Sequence, residues 1–148
     1  MVWKPNVTVA AVIEQDGKFL LVEEHTSQGL LFNQPAGHLE ANESLLAAVA
    51  RETLEESAYV FEPQHLLGIY RWHAPSSDTT YLRFAFTGRI LAHHPGRALD
   101  EGIVRAAWMT LDEIRATTGR HRSPLILRCV EDYLAGKRYP LEIITHYD

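Results

Sequence analysis

At 148 residues, with 46% hydrophobic and 22% charged positions, the chain has the length and composition of one globular domain with a sizeable core. Its net charge of -5 argues against a general nucleic-acid binder, which carries a basic surface, but is compatible with a phosphorylated small molecule whose charge a metal ion offsets. The single cysteine, Cys129, excludes an internal disulfide, and neither a signal peptide nor an apolar run near the roughly 20 residues needed to span a bilayer is visible, so a cytoplasmic protein with no membrane attachment is expected.

In chain order, Val7 to Ile13 is rich in β-branched residues and predicts a strand. Gln15-Asp16-Gly17-Lys18 is a hairpin turn leading into a second strand, Phe19 to Val22. Leu30 to Phe32 is a short apolar run that enters Asn33 to Glu40, where Pro35 and Gly37 predict an irregular loop. From about Glu43 to Ser57 the chain turns to Ala, Leu, Glu and Arg without Gly or Pro, which predicts a helix. Leu66 to Trp72 and Tyr81 to Leu91 predict two strands joined by the polar loop 74–80, and His93 to Gly102 predicts another loop. Val104 to Met109 predicts a strand, and Thr110 caps a brief helix over Leu111 to Ile114. A last helix is expected from Ser123 to Ala135, with Pro124 in its first position and Gly136 ending it. The architecture expected is an α/β (α+β) sandwich in which helices flank a mixed β-sheet, as a single domain over 1–148.

The helix carries the chemistry. At about 100° per residue, counted from Glu43, Arg51, Glu55, Glu52 and Glu56 fall at roughly 80°, 120°, 180° and 220°. Leu46, Ala50, Thr53, Leu54 and Ser57 cluster from roughly 280° round to 20°, which predicts that this side is buried and the carboxylates face away. Three carboxylates within two turns repel one another, and a hard divalent cation such as Mg²⁺ relieves that repulsion. Arg51 is placed to hold Glu55 and Glu43 while Glu52 and Glu56 point at metal.

The spacing Gly37-x5-Glu43-x7-Arg51-Glu52-x2-Glu55-Glu56 resembles the Nudix box. Two later positions depart from the pattern: Ala58 replaces the usual glycine and Tyr59 a smaller aliphatic residue, which bears on the helix exit rather than on metal binding. The runs Val7-Thr8-Val9-Ala10, Asn33 to Glu40, Leu82-Arg83-Phe84, Arg122-Ser123-Pro124-Leu125 and Gly136 to Glu142 resemble one bacterial subgroup of that family, the NudJ-like phosphatases.

The resemblance implies a Nudix-type α/β/α sandwich and a Mg²⁺-dependent hydrolase, with Mn²⁺ able to substitute. The subgroup implies release of phosphate from nucleoside tri- and diphosphates and from the pyrophosphorylated pyrimidine precursor of thiamine. Glu52, Glu55 and Glu56, with the carbonyl of Gly37, are the implied metal ligands, and Arg51 joins the catalytic set through the carboxylates it holds. The general base is left among Glu52, Glu56 and an acid from the loop holding Asp100 and Glu101, where plain solvated acids are an equal alternative. Gln34, Arg71, Trp72, Tyr81 and Arg83 are the candidate substrate contacts: the arginines for phosphate oxygens, the aromatics for stacking or for core packing. A nucleotide sugar or dinucleoside polyphosphate is the competing substrate class, and a non-catalytic nucleotide-binding module the competing function.

His93-His94 lacks a third ligand, Arg120-His121-Arg122 reads as a solvated basic run with an acidic neighbour or phosphate as the alternative, and Cys129 reads as a small core residue. The tail from Arg138 is apolar enough to pack on its own domain or on a second subunit, so monomer and homodimer both stand.

Overall fold

The computed structural model describes residues 1–148. In chain order it contains β1 (Asn6–Val12), β2 (Glu14–Gln15), β3 (Lys18–Thr26), β4 (Gly29–Asn33), β5 (Ala36–His38), α1 (Leu45–Ser57), β6 (Tyr59–Ala74), β7 (Thr79–His93), β8 (Ile103–Thr110), α2 (Leu111–Ala116), α3 (Leu125–Leu134) and β9 (Tyr139–Pro140), with short 3-10 turns at Thr118–Arg120 and Leu141–Ile143. The turn between β2 and β3 places Asp16 and Gly17 at φ 52° and 79°, the mirror-image geometry that matches strand twist.

The strands form two sheets. The larger has the order β5-β1-β7-β6-β9; β1 runs parallel to β7 and the other pairs are antiparallel. In the smaller, β3 pairs with β2, β4 and β8, all antiparallel. Alternation along the strands feeds two cores on opposite faces. Val9, Ala11, Leu20 and Phe86 pack with Ala48 and Val49 of α1, whereas Val12, Phe19, Leu21 and Ala85 pack with Ile114 of α2 and Ile126, Cys129 and Val130 of α3. This is the helix–sheet–helix sandwich expected from the sequence.

Three elements differ from expectation. The segment Asn33 to Glu40 is not wholly irregular: Ala36–His38 forms the edge strand β5, paired with Thr8, Val9 and Ala10. Strand β6 begins at Tyr59, well before Leu66, because register shifts near Phe61, Pro63 and Gly68 absorb residues that interrupt a simple strand pattern. Gly88 makes one shift possible: a Cβ there would lie 1.9 Å from the backbone oxygen of Glu62. Helix α1 begins at Leu45, not Glu43, because Ser44 is its cap and accepts the Ala47 N–H at 3.1 Å.

The other helix ends follow local chemistry. Thr110 and Glu113 form a reciprocal capping box at α2. Ser123 accepts the Leu125 N–H ahead of α3, and Gly136 leaves that helix at φ 84°. Ala58 ends α1 in the left-handed conformation at φ 64° despite its side chain, and its N–H still reaches the Leu54 carbonyl. The apolar tail packs on its own domain: β9 pairs with His65 and Leu66, and Leu141 and Ile144 close the α1-side core.

Candidate active site

Helix α1 buries Ala48, Val49, Thr53 and Ser57 against the sheet. On the helical wheel Ala48 and Val49 stand at roughly 140° and 240°, so the buried arc passes through the positions of Glu52 and Glu56. This corrects the expectation that the carboxylates lie opposite the buried side; Leu46, Ala50 and Leu54 are only half-buried. Glu52 and Glu56 turn inward onto the edge of β5. The Ala36 N–H donates to Glu56 Oε1 at 2.9 Å. Gly37 allows the approach of Glu52, since a Cβ there would sit 2.1 Å from the Glu52 carboxyl carbon.

Arg51 is the hub of the acidic cluster. It grips Glu43 with two donors at 2.7 and 3.0 Å, donates to Glu52 and Glu55 at 2.8 Å each, and reaches the His38 carbonyl at 3.1 Å. With its guanidinium committed to these acceptors, Arg51 fixes the orientation of the carboxylates around it. The same contacts separate the acids electrostatically. Hydrogen bonds from Arg51 hold the Glu43 carboxyl below its usual range. Burial pushes Glu52 up in spite of Arg51. Glu56 is pushed up to about 8 by burial, only partly offset by the Ala36 N–H and reinforced by the charges of Glu24, Glu52 and Asp100.

No three His, Asp or Glu side chains converge on a ready-made metal centre, because Glu52 and Glu55 are turned onto Arg51. The donor set nevertheless fits a hard divalent cation: it is all oxygen, and Glu56 stands among like charges with one N–H donor and no cationic partner.

Glu52 and Glu56 open onto a cleft of about 550 Å³ between β5, the β3–β4 hairpin, the tip of the β6–β7 hairpin and the segment before α3, whereas Glu55, held by Arg51, does not line it. It gathers Glu52, Glu56, Gly37, Trp72, Tyr81 and Arg83 from the candidates read in the sequence. Trp72 and Tyr81 stack on each other, 6.0 Å apart with an 18° interplanar angle, as one wall. Arg71 is not part of the cleft: it pairs with Leu82 while Tyr70 pairs with Arg83, so strand alternation points it to the other face of the sheet. Gln34 does not line the cleft either; it is 1% exposed and hydrogen-bonds Arg83 on one side and the Ile126 carbonyl on the other, so it holds Arg83 in place. Glu101 is exposed and outside the cleft. Its neighbour Asp100 is the loop acid near the site, its N–H bonded to the Glu55 carbonyl at 3.0 Å and its charge felt at Glu52 and Glu56.

Sequence reasoning missed Glu24 and set Arg122 aside. Both line the cleft and pair at 2.6 Å. The Leu20, Val22, Glu24 alternation of β3 puts Glu24 on one face with two core residues, the one signal in the sequence that bears on it. The basic run also meets a second acid, as Arg120 and Arg105 both bind Glu23.

Comparison with known proteins finds relatives over nearly the whole chain. The family model for the NUDIX domain matches residues 3–129. Phosphatase NudJ of Escherichia coli K12 is 42% identical over 146 residues, spanning 99% of this chain and 94% of that protein. A solved NUDIX hydrolase from Nitrosomonas europaea is 58% identical with a TM-score of 0.95, covering 97% of this chain and 98% of that one. A MutT NUDIX hydrolase from Burkholderia pseudomallei, at 19% identity and TM-score 0.74 over 88% of this chain and 98% of its own, shares the fold. With its acidic helix, its glycine-bearing edge strand and these near-full-length matches, the chain belongs to the Nudix hydrolase family.

Proposed function

We propose that this enzyme cleaves a phosphoanhydride bond of nucleoside tri- and diphosphates, and of the pyrophosphorylated pyrimidine precursor of thiamine, releasing orthophosphate in a Mg²⁺-dependent reaction. The observation that carries the reading is Glu56: a half-buried carboxylate without a cationic partner, fixed by the Ala36 N–H beside Glu52 in the cleft. The near-full-length relative named Phosphatase NudJ supports release of phosphate as the outcome, and the substrates follow from the subgroup resemblance of the sequence.

Glu52, Glu55 and Glu56, with the Gly37 carbonyl, are the residues that would hold Mg²⁺, or Mn²⁺ in its place. When bound, the ion supplies positive charge at the phosphate oxygens and acidifies water. Arg51 keeps the acidic side chains aligned, and Glu52 or Glu56 accepts the proton of the attacking water. Glu101, outside the cleft, is not given that role. The Trp72–Tyr81 wall offers a flat apolar face for a base or pyrimidine ring. Residues 130–148 belong to the same domain, because Val130, Leu141 and Ile144 pack into its cores, while Tyr139, Ile143 and Tyr147 stay exposed, so monomer and homodimer both stand. The setting is the cytoplasm; no helix is long and apolar enough to cross a membrane.

The test is a substrate panel with Mg²⁺ present or chelated: nucleoside tri- and diphosphates, the pyrimidine pyrophosphate, ADP-ribose and a dinucleoside tetraphosphate, with orthophosphate separated from pyrophosphate. Orthophosphate from the first three compounds is the expected result. Turnover confined to ADP-ribose or the dinucleoside retains a phosphoanhydride hydrolase and removes the proposed substrates.

A further inference from the structure

Three charged residues are buried in this protein, and one of them lacks a counter-charge. Glu23 is bound by Arg105 and Arg120, and Asp132 by Arg128 and Lys137. Arg83, 6% exposed, has no carboxylate partner. Its guanidinium donates to two neutral amides, Gln34 Oε1 at 2.8 Å and Asn33 Oδ1 at 3.0 Å, which leaves further N–H donors free. The orientation of Gln34 is fixed from behind, since its own NH₂ donates to the Ile126 carbonyl at 2.9 Å. A buried guanidinium without an acid is costly, and the missing negative charge has one open approach, because Arg83 and Asn33 both line the cleft.

A second arginine faces the same space. Arg122, on the segment leading into α3, lines the cleft with its guanidinium on Glu24. Its side chain is 48% exposed, whereas that of Glu24 is 12% exposed. Glu24 is therefore the fixed partner and Arg122 the movable one. The backbone of Arg83 stands two strands from the β5 edge, about 10 Å by strand spacing, because Arg83 is in register with Thr8 and Thr8 with His38. Glu24 stands nearer the acids, since its charge is felt at Glu56, so Arg122 bridges the two parts of the cleft.

We propose that Arg83, Arg122 and Asn33 form a metal-independent phosphate subsite that seats one phosphate group of the substrate, and that Glu24 competes with that phosphate for Arg122. The forked guanidinium geometry suits tetrahedral phosphate oxygens, and one buried plus one mobile arginine gives a fixed cradle and a closing clamp. The proposal deepens the functional reading above and rests on it for the phosphorylated nature of the substrate.

The experiment is calorimetric titration of the full-length protein with inorganic pyrophosphate in excess chelator. The wild type is expected to bind. Arg83→Met is expected to weaken binding at least tenfold and Arg122→Gln severalfold. Glu24→Gln is expected to tighten it severalfold, an effect that misfolding does not mimic, and the gain disappears in the Glu24→Gln/Arg122→Gln double variant. If Arg83→Met fails to fold, the Glu24 and Arg122 variants decide alone. Absence of metal-free binding by the wild type, equal binding by Arg122→Gln, or no gain in Glu24→Gln overturns the proposal. Failure of the hydrolase reading looks different: pyrophosphate binding follows this pattern while Mg²⁺-dependent turnover is absent.

Discussion

In the presence of chelator, Glu56→Gln is expected to stabilise the protein at pH 8 and to leave it almost unchanged at pH 5. The Glu56 carboxyl is pushed up to about 8 in the fold from an ordinary value of 4.5. Between those values the folded protein keeps a proton that the unfolded chain has released, so stability is highest at low pH and falls as pH rises toward the folded value. Each pH unit in that window costs at most about 1.4 kcal/mol, which gives a ceiling of about 4 kcal/mol from pH 5 to 8. Partial solvent access lowers the expectation to about 2–4 kcal/mol, or roughly 5–15 °C in Tm for a chain of this size. Glutamine resembles the protonated acid and retains an oxygen to accept the Ala36 N–H. Urea unfolding of both proteins at pH 5 and pH 8 measures the difference, and Mg²⁺ at pH 8 is expected to recover stability in the wild type alone. Parallel pH profiles for the two proteins refute the reasoning, because they mean that Glu56 ionises in the fold at no cost.

Other perturbations separate positioning from folding. Gly37→Ala drives a methyl into the Glu52 carboxylate, which can swing aside, so stability is expected to change by less than about 1 kcal/mol while turnover falls about 100-fold; paired unfolding and rate measurements check this. Arg51→Gln strands Glu43, Glu52 and Glu55 together and is expected to cost about 2 kcal/mol in chelator by urea unfolding, with much of it regained on adding Mg²⁺. Ala58→Gly relieves a left-handed residue by about 1–2 kcal/mol but gives up a buried methyl worth about 0.8 and about 0.4–1 of chain entropy, so thermal unfolding is expected to show near neutrality.

Strongly periodic or compositionally distinct segments were legible in the sequence: the β-branched β1, the Asp-Gly hairpin, the alanine- and glutamate-rich α1 and the Thr110 cap all formed where local chemistry places them. The orientation of α1 was not legible. A wheel drawn from polarity assumes that acids face water, whereas here Glu52 and Glu56 are turned inward by the edge strand β5, and the signal lay in Gly37 rather than in the helix. Which of Arg71 and Arg83 enters the cleft depends on the register of β6 against β7, and the bulges near Pro63 and Gly68 hide that register. Gln34, Glu24 and Arg122 acquired their places from contacts of long sequence separation: Gln34 meets Arg83 and Ile126, and Arg122 meets Glu24. Periodicity carries no information about contacts of that kind.

The central claim, that the inward carboxylates of α1 form a divalent-cation site, is tested most directly by titrating the protein with Mn²⁺ and following the free ion by electron paramagnetic resonance. The account predicts Mn²⁺ binding by the wild type, displacement by Mg²⁺, and at least tenfold weaker binding by folded Glu56→Gln and Glu52→Gln. Equal binding by wild type and both variants, or no binding by the wild type, contradicts it.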